Sequence, residues 1–196
     1  MDAPCASLEA RYGEPQRRYH TLEHIGACLT LLDGVQGLTP EDRRLLEYAI
    51  WWHDAVYDPA RSDNEEQSAE LARRELAGLG CPDADIDEVA RLVLLTKGHR
   101  VEPDDRLGAL LVSIDLSILG ADRQAYDAYA VQVREEYAHV PAGAFRIGRA
   151  AVLRKILEAP AIFPDPAFRD RYEAAARSNL DREIQALVAG GERPVQ

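Results

Sequence analysis

From Leu111 to Leu119 the chain reads Leu-Val-Ser-Ile-Asp-Leu-Ser-Ile-Leu, and Asp115 is the only ionisable side chain in that run. A segment this apolar belongs in a core, where an unpaired carboxylate costs several kcal/mol. Any fold of this chain therefore has to bring Asp115 a cation or an N–H-rich helix cap. An arginine would serve, and so would a metal ion.

Two other stretches hold the residues that favour the metal. In Tyr19-His20-Thr21-Leu22-Glu23-His24-Ile25 the two histidines are four apart, which on a helix places them about 40° from one another on one face. In Trp52-His53-Asp54-Ala55-Val56-Tyr57-Asp58 an imidazole and a carboxylate are adjacent. His24, His53, Asp54 and Asp115 together offer two imidazoles and two carboxylates from three predicted helices. That mixture suits one divalent first-row ion, Mn²⁺, Fe²⁺, Co²⁺ or Ni²⁺, with water in the remaining positions, better than a closed structural zinc. Mg²⁺ fits less naturally because of the imidazoles. The zinc-protease helix is set aside, because it requires Glu where this chain has Thr21.

The rest of the chain is punctuated helix. The patterns predict helices over 6–12, 17–34, 40–56, 62–79, 83–97, 106–119, 122–139, 144–158 and 165–188. Thr39-Pro40-Glu41-Asp42 is a strong start signal, and Ser62-Asp63-Asn64-Glu65 has the spacing of a capping box. No alternating strand pattern appears. The expected fold is all-α, a single helical domain over 1–190 with a flexible tail at 191–196. With 23 basic against 34 acidic residues the net charge is −11, which argues against duplex nucleic acid as a partner. No apolar run reaches membrane-spanning length and no basic-then-apolar leader opens the chain, so no membrane partner is expected and the cytoplasm is the expected compartment. Cys5, Cys28 and Cys81 read as free thiols.

The order of His24, the His53-Asp54 doublet at a helix end and the distant Asp115 resembles the HD-domain superfamily of metal-dependent phosphohydrolases. The segments Arg18 to Ile25, Trp52 to Asp58, Asp63 to Ala69, Asp115 to Gly120 and Ala176 to Leu180 resemble a bacterial group within it, and the likeness spans nearly the whole chain. It implies a helical bundle of the HD type that hydrolyses a phosphate ester of a nucleotide or similar small metabolite. It makes His24, His53, Asp54 and Asp115 the ligands of one divalent metal ion and His20 the general acid. Asp58 matches the place of a carboxylate that positions the attacking water in some relatives, and it also reads as a turn residue before Pro59. Thr96-Lys97-Gly98-His99 fits the group's pattern, so Lys97 and His99, with Arg18, are expected to bind a substrate phosphate, as Arg17, Arg146 or Arg149 could. Dinuclear relatives carry two further histidines where this chain has only His99, which disfavours a second metal. The alternatives are a di-iron oxidoreductase of the same fold and a non-catalytic nucleotide-binding regulatory domain.

Overall fold

The structure is a computed structural model that describes residues 6–190; Cys5 and the expected tail at 191–196 lie outside them. Among the described residues there is no strand. The chain forms α1 (Ala6–Tyr12), α2 (Leu22–Asp33), α3 (Pro40–Trp52), α4 (Asn64–Gly78), α5 (Asp83–Leu95) and α6 (Arg106–Asp115). A 3₁₀ turn (Leu116–Gly120) follows, then α7 (Arg123–Glu136), α8 (Ala142–Leu157) and α9 (Pro166–Ala189). The fold is all-α, as the patterning required. No described helix is long and apolar enough to cross a membrane. The chain divides into two compact units, one ending at Asp115 and one beginning at Leu116.

In the first unit α5 packs on α3 and α4, while α2 and α6 pack on α3. Leu45, Trp52, Ala72, Leu76, Val89 and Val93 lie in its core. Thr39 starts α3 with a reciprocal capping box: the Asp42 N–H donates to Thr39 Oγ1 at 3.0 Å and the Thr39 N–H to Asp42 Oδ2 at 3.4 Å. Such a cap contributes about 1 kcal/mol.

Among the boundaries that differ from the sequence expectation, four have a local reason. α2 begins at Leu22 instead of residue 17, because Thr21 is its N-cap and accepts the Glu23 N–H. α3 stops at Trp52 instead of 56. Beyond it the Val56 N–H turns to Ser68 Oγ at 3.0 Å, and Arg17 takes the carbonyls of Asp54 and Ala55. The expected capping box at Ser62 does not form: Asp63 is the N-cap of α4 and its carboxylate is occupied by Arg61 and Gln67. α6 ends at Asp115, where the chain tightens into the 3₁₀ turn.

In the second unit α9 packs on α8 and on the 3₁₀ turn. The Asn179 amide donates to the carbonyls of Leu119 and Ala121, both at 3.0 Å, which ties the turn to α9. Gly120 is required there, since a Cβ would stand 2.6 Å from Tyr172 Cβ. Asp122 caps α7 and Asp165 caps α9.

Candidate metal centre

Each candidate ligand sits at a helix end of the first unit. His24 is in the first turn of α2, His53 and Asp54 directly follow α3, and Asp115 is the last residue of α6. The two imidazoles are buried, while the Asp54 and Asp115 side chains keep 18% and 16% of their surface open to solvent.

The donor atoms converge. His24 Nε2 is 3.2 Å from His53 Nε2, 3.3 Å from Asp115 Oδ1 and 3.6 Å from Asp54 Oδ2. His53 Nε2 is 2.9 Å from Asp54 Oδ2 and 3.6 Å from Asp115 Oδ1. His53 Nδ1 lies 2.9 Å from the Ile50 carbonyl oxygen, which can only accept, so Nδ1 carries the proton. In neutral His53 the Nε2 lone pair then points into the cluster. Lone pairs facing lone pairs need protons or a cation between them. Ligands about 2.1 Å from a metal stand roughly 3.0 Å apart at octahedral corners and roughly 3.4 Å apart at tetrahedral ones, and the separations here, from 2.9 to 3.6 Å, bracket those values. His24, His53 and Asp115 form a group that could hold a metal ion, with donor atoms all within 4.8 Å of one another. Asp54 adds a second carboxylate against both imidazoles.

The electrostatics agree with the geometry. Burial alone would depress the His53 pKa, but the charge of Asp54 and hydrogen bonds to Asp115 and Asp54 outweigh it and raise the pKa well above the ordinary imidazole value. Burial would raise both carboxylates; the His53 and His20 charges hold Asp54 far below its usual range, and hydrogen bonding to His24, His53 and His99 does the same for Asp115.

No ion pair among the described residues joins Asp115 to a guanidinium. Among the described residues the side chains that meet it are three imidazoles: His24 and His53 on Oδ1 and His99 on Oδ2, the last at 3.2 Å. A helix cap does not serve either, because Asp115 stands at the negative, C-terminal end of α6. His99 reaches Asp115 from a left-handed backbone with φ of 53°, a conformation that costs on the order of 1 kcal/mol outside glycine.

The other expected residues are placed variously. His20 lies before α2 and not one turn below His24 on it, because Thr21 breaks the helix there. Its ring stacks on Tyr57 with centroids 4.1 Å apart, and is 6.1 Å from the His24 ring. Asp58 is exposed, and its Oδ1 accepts the Ala60 N–H in a turn. The Lys97 ammonium pairs with Glu66 and donates to the Ser62 carbonyl. The Arg18 guanidinium donates to the carbonyls of Pro15 and Arg17. Arg149 is paired with Glu183 in the second unit.

Two neighbours had no role in the sequence reading. Cys28 Sγ is 3.8 Å from both ring nitrogens of His24, and its place four residues after His24 on α2 was the available signal. The Tyr19 ring lies 4.9 Å from that of His24. No protein-family model, no curated protein and no solved structure matches this chain.

Proposed function

We propose that this chain is a metal-dependent phosphohydrolase acting on a phosphate ester of a nucleotide or similar small metabolite. The observation that carries the reading is the convergence of ligand atoms from His24, His53 and Asp115 within 4.8 Å of one another, with Asp54 Oδ2 2.9 Å from His53 Nε2 and 3.6 Å from His24 Nε2 and a further imidazole, His20, nearby. A divalent ion held by these residues supplies Lewis acidity, bringing the pKa of a bound water towards neutrality and polarising phosphoryl oxygens. Mn²⁺, Fe²⁺, Co²⁺ and Ni²⁺ suit the ligand mixture best. The partly open faces of Asp54 and Asp115 leave the substrate side of the cluster to solvent.

His20 is the proton donor in this reading. An imidazole titrates near neutrality, and this one is close enough to Asp54 for its charge to lower the carboxylate's pKa. Protonated, it gives its proton to the departing ester oxygen. His99 is the remaining imidazole at the site, and its contact with the second oxygen of Asp115 is the observation that keeps a two-iron oxygen-activating centre as the competing reading.

Metal analysis with a panel of nucleotide mono-, di- and cyclic phosphates tests the proposal. Phosphate release with Mn²⁺ or Co²⁺ is expected. No release from any substrate, together with oxygen consumption by iron-loaded protein, would establish the competitor. Asp54→Ala is expected to lose both metal and activity. His20→Ala is expected to keep the metal and lose rate by roughly 10²–10⁴-fold. Equal loss of metal in both variants would show that His20 is a ligand.

A further inference from the structure

The sequence offers Arg17 as a contact for a substrate phosphate, but its side chain has no solvent exposure. The guanidinium is spent inside the protein. Nη1 donates to the His20 carbonyl at 3.0 Å and to the Asp54 carbonyl at 2.8 Å, and Nη2 donates to the Ala55 carbonyl at 3.2 Å. Nε donates to Glu14 Oε2 at 3.2 Å. The three carbonyls lie outside helices, in the segment before α2 and in the turn after α3, so no helical N–H takes them. The guanidinium also lies near the rings of Tyr12 and Tyr57, at 5.1 and 5.5 Å, and Tyr57 in turn carries the stacked His20 imidazole.

We propose that Arg17 is a positioning residue: it fixes the His20 imidazole beside Asp54, through the two backbones and through Tyr57, and never touches a substrate. A planar fork with five donors can hold carbonyls of two segments at once, whereas the single ammonium of lysine cannot reproduce that arrangement. His24 and Asp115 lie on helices that Arg17 does not touch, so their part of the metal site survives its loss. The effect on rate rests on the proposed hydrolase; the placement of His20 does not.

The test is Arg17→Lys, which keeps the charge and the buried stem. The His20 ring protons, shielded in the wild type by the face of Tyr57, are expected to move in NMR spectra towards the positions of an exposed imidazole. Co²⁺ binding is expected to persist through His24, His53 and Asp115, weaker than in the wild type because the Asp54 backbone loses its anchor. With an active substrate, kcat is expected to fall about 10²-fold, the usual consequence of a misplaced catalytic group, with little change in KM. The double variant with His20→Ala should be no slower than His20→Ala alone, because both changes remove one contribution. Unchanged His20 signals, or losses that multiply in the double variant, overturn the inference. If Arg17→Lys loses its helical circular dichroism, Tyr57→Leu is read by the same signals and the same double-variant comparison, with the same outcomes deciding. A wild type that releases no phosphate would sink the hydrolase and leave the NMR result standing; an active wild type whose His20 signals ignore Arg17→Lys would do the reverse.

Discussion

Two buried polar clusters, one in each unit, are similar in exposure and opposite in construction. In the second unit Glu183 accepts the Tyr126 hydroxyl at 2.5 Å and Arg149 Nε at 2.9 Å, with Nη2 at 3.3 Å. The Arg149 and Glu183 side chains are 10% and 11% exposed. There each acceptor meets a donor and one charge cancels another. In the first unit Asp54 and Asp115 are no more open than 18% and 16%, yet two imidazole nitrogens and two carboxylate oxygens face one another. Burial does not separate the two clusters. What separates them is the count of donors: the Glu183 cluster of the second unit is complete as built, and the Asp54–Asp115 cluster of the first unit is completed only by protons or by a cation. This donor shortage is the structural sign of a site, and it is independent of any likeness to a family.

The largest expected contrast follows directly. Asp115→Asn keeps the shape and removes the charge, and it should weaken Mn²⁺ or Co²⁺ binding by more than the roughly 10–100-fold that loss of a ligand's own hydrogen-bond partner costs. Arg149→Met should leave metal binding untouched. Isothermal titration of both variants checks this, and wild-type affinity in Asp115→Asn would end the claim that the cluster holds the ion. The next effect runs the other way. Arg149→Met strands the Glu183 charge and should cost about 3–5 kcal/mol in urea denaturation. A loss below 1 kcal/mol would mean that the pair is ornamental.

The two clusters were also unequally legible in the sequence. The gathering of His24, His53 and Asp115 could be read because those residue types are chemically narrow and Asp115 could not be buried alone. The starts of α3, α7 and α9 could be read because caps are local, with Thr39, Asp122 and Asp165 bonding to N–H groups within three residues. Arg149 and Glu183 are 34 residues apart and share no local signature, so their pairing was invisible. The same holds for Arg17, whose bond to the Asp54 carbonyl spans 37 residues. The start of α2 was misplaced because the residues from 17 to 24 keep helical periodicity, and only the bond from the Glu23 N–H to Thr21 Oγ1 decides for a cap. The left-handed backbone at His99 had no signal, since nothing in its residue type demands it.

Metal should also sharpen the contrast by mass action. An ion that binds only the folded state adds about 2.7 kcal/mol of stability at one hundred times its dissociation constant. Melting temperatures with and without Mn²⁺ should show the gain in the wild type and in Arg149→Met, and none in Asp115→Asn. A gain in all three would place the ion elsewhere.

The smallest effect is a slope with pH, and here only the cluster of the first unit contributes one. In metal-free protein the raised pKa of His53 means that the folded state holds a proton the unfolded chain gives up near pH 6.5. That contribution to stability is fully present below about pH 6.5 and is lost as pH rises through the folded value. The lowered carboxylates, Asp54 and Asp115, act at the other end: their contribution is present above about pH 4 and is lost as pH falls through their folded values. Metal-free protein should therefore be most stable in mildly acid solution and weaken towards alkaline pH. Metal reverses the alkaline limb, because it takes the neutral His53 ring and no longer competes with the proton as pH rises. The second cluster adds no slope there: burial and Glu183 push Tyr126 well above the usual phenol range, and Arg149 is raised as well. Melting curves from pH 5 to 9, in chelator and in excess Mn²⁺, should diverge as pH rises in the wild type and coincide in Asp115→Asn. Parallel curves in the wild type would mean that proton and metal do not compete for His53.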